Sequence, residues 1–457
     1  MSFSLTTVII VPRKLTIKDS HVQISKQLFT DLHLTTHQEL SISIGQKTLT
    51  VSVQTVDMDD NEIHLPEQML HAFCLPIQRY KFQALASADT HTLKLGPVIG
   101  LLTDSLDYNH EDPHFRSIHL FCEELHHGIT AQGGFFFVFP YDKFLSQGYF
   151  LNNGKWILTQ VPIPDVIYNR IHSRVLEQKK PYKQFRKKID QFMIPFFNDR
   201  FLSKWEVYEQ LQNEDLLLAY LPNTKIFSLE HLYDFVREYE TVFLKPIHGS
   251  QGRNIIKIKK ETDDHYSFES SLPSLRNHSG ENYSFTELAQ QIQPFMEKRM
   301  YLIQQGIALV SPQSSAMDFR VLCHKNSQHH WTVTSTVARI AAEQEFVSNL
   351  ARGGTMTRPL LALRTCMSDK QSLEVLALMK ELALATATAI DKHSDGMTGE
   401  LGIDIGVDQE GKPWLIEVNS KPSKNFEDGL GKIRPSAKAI IQYCTILAFK
   451  KEKKEEL

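Results

Sequence analysis

Apolar and polar positions along this chain change period several times, and the changes predict its elements. Residues 1–90 alternate in short runs, the clearest being LTVSVQTV at 49–56, with turn residues following at 57–61. Alternation of period two predicts strands, so this region, rich in Thr, Ser, Val, Ile and His, reads as a small, mostly β module. At 95–103 the stretch LGPVIGLLT opens a new strand after a Gly-Pro break. A helix over 115–127, a buried strand in FFFVF at 135–139 and another strand over 165–169 then follow one another, which predicts an α/β layer. Beyond residue 195 the pattern predicts helices over 203–213 and 229–239 and strands over 242–245 and 255–258. A helix over 373–385 is announced by Ser368 and Gln371 at capping-box spacing, and the polar, Ser-rich 263–281 predicts a loop excursion.

The chemistry concentrates near the C-terminus. In ELGIDIGV, residues 400–407, alternation puts Asp404 on a face shared with Gly402 and Gly406 while Ile403, Ile405 and Val407 face a core. A turn through DQEG at 408–411 returns the chain into WLIEVN at 414–419, where unbroken alternation places Leu415, Glu417 and Asn419 together and Val418 opposite. Asp404, Glu417 and Asn419 are therefore expected to converge above bare glycine backbone with room beside them. Three hard oxygen ligands so placed suit Mg²⁺, which keeps several waters and completes its shell from substrate phosphates. A solvated hairpin face is the alternative for any single carboxylate; a buried strand pair requires its acids to have partners.

A second constellation suggests the phosphates. In VFLKPIHGSQGRNI, Lys245 ends a strand, and Gly249, Ser250, Gln251 and Gly252 form a loop before the next. The glycines let backbone N–H groups approach phosphate oxygens and Lys245 adds a point charge, although such a loop by itself is more often a plain hairpin turn. Because the loop joins strand to strand, it matches neither the P-loop nor the dinucleotide fingerprint, both of which lead into a helix.

Composition narrows the classes. With 42% hydrophobic and 23% charged residues over 457, the chain reads as an ordinary globular protein. A formal net charge of -3 offers no overall basic attraction for nucleic acid. The five cysteines are scattered without a CxxC, against both a zinc site and a disulfide scaffold, and a reducing cytoplasm is expected. The first apolar run, at 8–11, is too short for a signal peptide or membrane span. The pairs His126-His127 and His329-His330 do not read as joint metal ligands, since strand neighbours point to opposite faces.

Taken together, Lys204 in FLSKWEVYEQL, Lys245 with its glycine loop, the linker YLIQQGIAL and the terminal GIDIGVDQEGKPWLIEVNSKP resemble the ATP-grasp superfamily in order and spacing. Asp318 and Arg320 in MDFRVLCHK, with Arg339, Asn349, Gly353 and Gly354 in VARIAAEQEFVSNLARGGT, are similar to the glutathione-synthetase and ribosomal-protein-modifying ligases. Across the whole chain, including VIYNRIHSR at 166–174, the sequence resembles the YheC/YheD-type ATP-grasp family, described as associated with endospore coats.

The resemblance implies an α+β / α/β multidomain chain. A β module at 1–92 and an α/β pre-ATP-grasp domain at 93–194 would precede an ATP-grasp domain at 195–450, divided into a lysine-bearing part (195–305) and a metal-binding part (306–450) that clasp ATP. It implies Lys204 and Lys245 on the phosphates, Gly249 to Gly252 as their cover, and Gln304, Gln305 and Ile307 beside the nucleotide. Asp404, Glu417 and Asn419 would hold one or two Mg²⁺ ions, with Mn²⁺ as an alternative. Arg320 and Arg339 suit a transferring phosphate or a substrate carboxylate, because a planar guanidinium binds either bidentately; Asn349 would ligate metal or substrate. The implied activity is carboxylate–amine ligation through an acyl phosphate, with a spore-coat scaffold and a phosphotransferase as alternatives. Implied partners are a small-molecule or peptide carboxylate, an amine acceptor, coat components and a second copy of the chain, without nucleic acid or membrane. Gln304-Gln305 stands where relatives commonly carry an acid, and Ser311 lies near the place of a ribose-binding acid.

Overall fold

The computed structural model describes residues 5–14, 21–34, 39–87, 90–104, 113–249, 252–272, 275, 281–312, 315–342, 353–424 and 433–450. Four sheets are formed among them.

The first sheet has eight strands, from Thr6–Arg13 to Thr92–Gly96. The run at 49–56 does not form one strand. It breaks at Ser52 into Lys47–Val51 and Val53–Val56, which occupy the two ends of the strand order. One residue spans only about 7 Å between its neighbours, so the sheet curls until its outer strands meet. The strand Thr92–Gly96 closes this sheet, and the cis Gly96-Pro97 bond leads into the next; the expected division after residue 92 thus falls at the first residue of that strand.

In the second sheet, Val98–Thr103 lies centrally with Phe135–Pro140 on one side and Val166–Asn169 on the other, all parallel. Parallel strands covered on both faces read as continuous apolar runs. Accordingly, Phe135, Phe137 and Phe139 pack into a core shared with the first sheet, while Phe136 and Val138 pack under the helices His119–Gln132 and Pro435–Phe449.

The third and fourth sheets are antiparallel. The third contains, in order, Thr224–Ile226, Tyr301–Gln305, Thr241–Pro246, Ile256–Lys260, His265–Ser270 and Tyr283–Ser284. The expected loop over 263–281 therefore contributes a strand: Tyr266 and Phe268 alternate into the core between polar neighbours, a period-two signal diluted by the surrounding serines. The fourth contains Thr355–Thr357, Trp331–Ile340, Met317–Lys325, Glu400–Val407 and Pro413–Asn419. Its core lies under the long helix Asp369–His393 and the helix Lys204–Leu211. Ser368 caps the former from one side only, accepting the Gln371 N–H; the Gln371 side chain turns away to the carbonyl of Glu410. The chain crosses between these two sheets at 306–310, where the Val310 N–H donates to the carbonyl of Val407 at 2.8 Å.

Candidate functional site

The hairpin of Glu400–Val407 and Pro413–Asn419 forms because Asp408 organises its turn, accepting the Glu410 and Lys412 N–H groups through Oδ1 and Trp414 Nε1 through Oδ2. Leu401, Ile403, Ile405 and Val407 are wholly buried in the core, leaving Asp404 on the opposite face. Register places Asp404 opposite Glu417 and Gly402 opposite Asn419.

Two expectations are corrected here. Asp404 pairs with Glu417 but Ile405 pairs with Leu415, so Ile416 is an extra residue, a β-bulge. Alternation is broken there: Leu415 joins Val418 in the core, and only Glu417 and Asn419 face the ligand side. Nor is the glycine backbone bare. A Cβ on Gly402 would meet Pro422 at 2.7 Å, and one on Gly406 would meet Leu309 at 2.6 Å. These positions seat neighbouring side chains and leave no room for a ligand over the glycines.

The acids are gathered with cations from three directions. Asp318 and Arg320 alternate onto the same face of Met317–Lys325, where Asp318 is opposite Arg339 and Arg320 opposite Asp404. Arg320 grips Asp404 through Nε and Nη2, and Arg339 grips Asp318 at 2.6 and 2.5 Å while also reaching Asp404 at 3.0 Å. Asn419 Nδ2 donates to Asp404 Oδ2 at 3.3 Å. Burial opposes the charge on Asp404, and the two guanidiniums outweigh it, holding the carboxyl below the usual carboxylate range. The same acids keep Arg339 protonated against its own burial.

Lys204 is the first residue of its helix, fixed by a capping box between Ser203 and Glu206. Its Nζ donates to Glu417 Oε1 at 2.5 Å and to the carbonyl of Gly249 at 3.2 Å, so it ties the hairpin to the loop after Thr241–Pro246. Lys245 reaches Gln304 Oε1 at 2.5 Å, and Gln304 passes its own N–H to Thr224 Oγ1 at 2.9 Å. Desolvation first, and then the charge of Lys204, push the Lys245 ammonium down to about 8. Gln305 faces the other way, accepting the Asn223 N–H, and Ile307 is half-buried in the crossing segment. Gly249 lies against Pro246 with no space for a Cβ, and Gly252 has a φ of +63°, where a side chain is strained. Ser250, Gln251 and Asn349 lie outside the described residues.

Thus Lys204, Gly249 and Glu417 form one contacting set and Asp404, Asn419, Arg320 and Arg339 another, brought side by side by the pairing of Asp404 with Glu417, with Lys245 beside Lys204 and Glu417. Among the described residues no group of three or more His, Cys, Asp or Glu side chains could hold a metal ion. The donors of Asp404, Glu417 and Asn419 are all oxygens of the hard-cation type, and a cation bound by so few requires further oxygens from a ligand. They fit Mg²⁺ in that sense. Sequence reading missed Glu400, His324, Lys424 and Arg170, which form a second buried charge cluster two positions along the same face. The alternation that singled out Asp404 places Glu400 there as well.

A family model described as "YheC/D like ATP-grasp" matches residues 193–447, more than half of the chain. The chain belongs to the YheC/D-like ATP-grasp family. The match spans the third and fourth sheets. The Bacillus subtilis (strain 168) endospore coat-associated protein YheD is 27% identical over 395 residues, covering 85% of each chain. YheC of the same organism, also named endospore coat-associated, is 23% identical, covering 64% of this chain and 79% of YheC. Among solved structures, the ATP-grasp ligase PsnB complexed with minimal precursor superposes at a TM-score of 0.43 with 14% identity, covering 76% of this chain and 99% of that one. The D-cycloserine synthetase DcsG superposes at 0.45 with 12% identity, covering 76% and 99%. Likeness this distant carries nothing about substrate.

Proposed function

We propose that this member of the family is an ATP- and Mg²⁺-dependent ligase that joins a carboxylate to an amine through an acyl phosphate. The observation that carries the reading is the meeting of Asp404 and Glu417, opposite one another in register, with Lys204 brought to Glu417 and to Gly249. The acids of this site are neutralised by its own cations. Lys204 and Lys245 would bind the phosphates of a magnesium triphosphate, and Asp404, Glu417 and Asn419 would hold the ion. The bound ion would neutralise charge on the phosphate oxygens as transfer proceeds.

The substrate carboxylate oxygen bonds to the γ-phosphorus as the bond to the β-phosphate oxygen breaks, releasing ADP. The amine nitrogen then bonds to the acyl carbon, phosphate leaves, and the nitrogen gives up a proton. Charge accumulates on the transferring group throughout, so positioned cations matter more than an acid/base pair. Arg320 and Arg339 supply them from a buried, preorganised face.

Calorimetric titration of ATP with and without Mg²⁺ tests the reading. Binding should depend on the ion, and the double variant Asp404→Ala with Glu417→Ala should abolish that dependence; an unaltered metal requirement in the double variant refutes the site.

One observation favours a second reading. Each acid is already matched by an internal cation, an arrangement that also serves a coat-associated scaffold whose nucleotide site is silent, in keeping with the names of the B. subtilis relatives. Release of ADP on adding pools of carboxylates and amines separates the two, and product mass separates a ligase from a phosphotransferase.

A further inference from the structure

Asp404 is not the only acid on the ligand-bearing face of its strand. Beyond Gly402 stands Glu400, completely buried. It accepts from Tyr168 Oη at 2.6 Å and faces His324 Nε2 at 2.9 Å, with Arg170 Nη1 at 3.5 Å and Lys424 Nζ in direct contact. Burial opposes its charge, and Lys424, His324 and Arg170 outweigh it, keeping the carboxyl ionised far below its usual range.

Two of the four side chains around Glu400, Lys424 and Arg170, link it to one segment, the residues directly after Asn419. Lys424 ends that segment. Arg170, while facing Glu400, donates through Nη2 to the carbonyl of Pro422 at 2.8 Å. Asn198 donates to the carbonyls of both Glu400 and Ser420, and its Oδ1 accepts the N–H groups of Gly399 and Glu400. Ser420 Oγ donates to the carbonyl of Arg200 at 3.1 Å and accepts the Leu202 N–H at 3.2 Å. Pro422 rests over Gly402, between the two acids, where a Cβ would displace it. Ser420, Pro422 and Lys424 are thus tied to the segments that follow two strands of the second sheet and to the strand carrying Asp404, and Lys421 Nζ reaches Glu177 Oε1 at 2.6 Å.

We propose that Glu400, acting through Lys424 and Arg170, is a positioning residue that fixes Glu417 and Asn419 for the divalent cation. The inference rests on the functional reading above. Unanchored, the end of Pro413–Asn419 is an outer strand with one neighbour, free to pivot at the Ile416 bulge. Anchored, it holds its two donors against Asp404. Groups behind metal ligands act in this way, and their loss typically costs 10- to 100-fold in metal affinity.

The test compares Lys424→Met and Glu400→Gln with the wild type in two measurements. In calorimetry, affinity for ATP in Mg²⁺ should fall about tenfold or more while affinity for ATP in chelator stays within about twofold. In hydrogen exchange without ligand, amides of 417–424 should exchange faster while those of Met317–Lys325 do not change. Equal losses with and without Mg²⁺, exchange rising across the whole fourth sheet, or no effect in either measurement overturns the proposal. If Lys424→Met does not fold, Arg170→Lys carries the same test, since it leaves a cation beside Glu400 and removes the bond to Pro422. A wild type that binds no ATP refutes the functional reading instead, and the exchange measurement still decides whether Glu400 anchors the segment.

Discussion

At the scale of single residues, the site is a set of charges drawn out of water, most of them beside an opposite charge. Lys245 shows the cost. Its ammonium is depressed to about 8, against about 10.4 in an unfolded chain, so between these values the unfolded state binds more protons. Two consequences of opposite sign follow. The contribution of Lys245 to stability rises with pH across that window, whereas affinity for an anionic triphosphate falls as pH passes through about 8. Titration of ATP from pH 7 to 9 should show the fall, and Lys245→Arg should flatten it. Arg320 shows the complementary case. Replacing it with Met leaves Asp404 buried with one guanidinium fewer, and removing one partner of a buried pair costs roughly 3–5 kcal/mol. Urea denaturation should register a loss of that order, far more than for an exposed arginine such as Arg253.

At the scale of elements, caps and bulges decide where those charges point. Lys204 opens its helix because Ser203 and Glu206 satisfy each other's backbone donors. Ser203→Ala should cost about 1 kcal/mol of stability and also weaken ATP binding, because the first helical turn carries the lysine; thermal melting and calorimetry together check both. This capping box has the same S-x-x-E signature as the one at Ser284 and Glu287, and both are readable in the sequence. The bulge at Ile416 is not. Period two marks the strand correctly, but one extra residue reverses the faces of everything after it, and that residue is fixed by the register against Glu400–Val407. The split of 49–56 at Ser52 has the same origin: the alternation is genuine, while the partner strands belong to opposite ends of a curled sheet.

At the scale of the whole molecule, the layers are held together by buried ion pairs as well as by apolar cores. Glu400 on the fourth sheet faces Tyr168 and Arg170 from the second, and the helix Pro435–Phe449 packs beneath both. Because its folded-state pKa lies below the unfolded value of about 4.3, the stability that Glu400 contributes is present above that pH and is lost as pH falls below it. Acid titration monitored by circular dichroism should show a loss of stability below about pH 4, and Glu400→Gln should reduce that slope. The sequence by itself determined most of the strands and helices, the terminal hairpin and the kinds of chemical group available, because periodicity, caps and turn residues are local and act within a few positions. Tertiary structure alone decided which groups meet. Lys204 and Glu417 stand 213 positions apart, and Tyr168 and Glu400 stand 232 apart. No local pattern records such pairings: they follow from how four separately patterned sheets bury their faces, and burial favours enclosed charges that meet an opposite one.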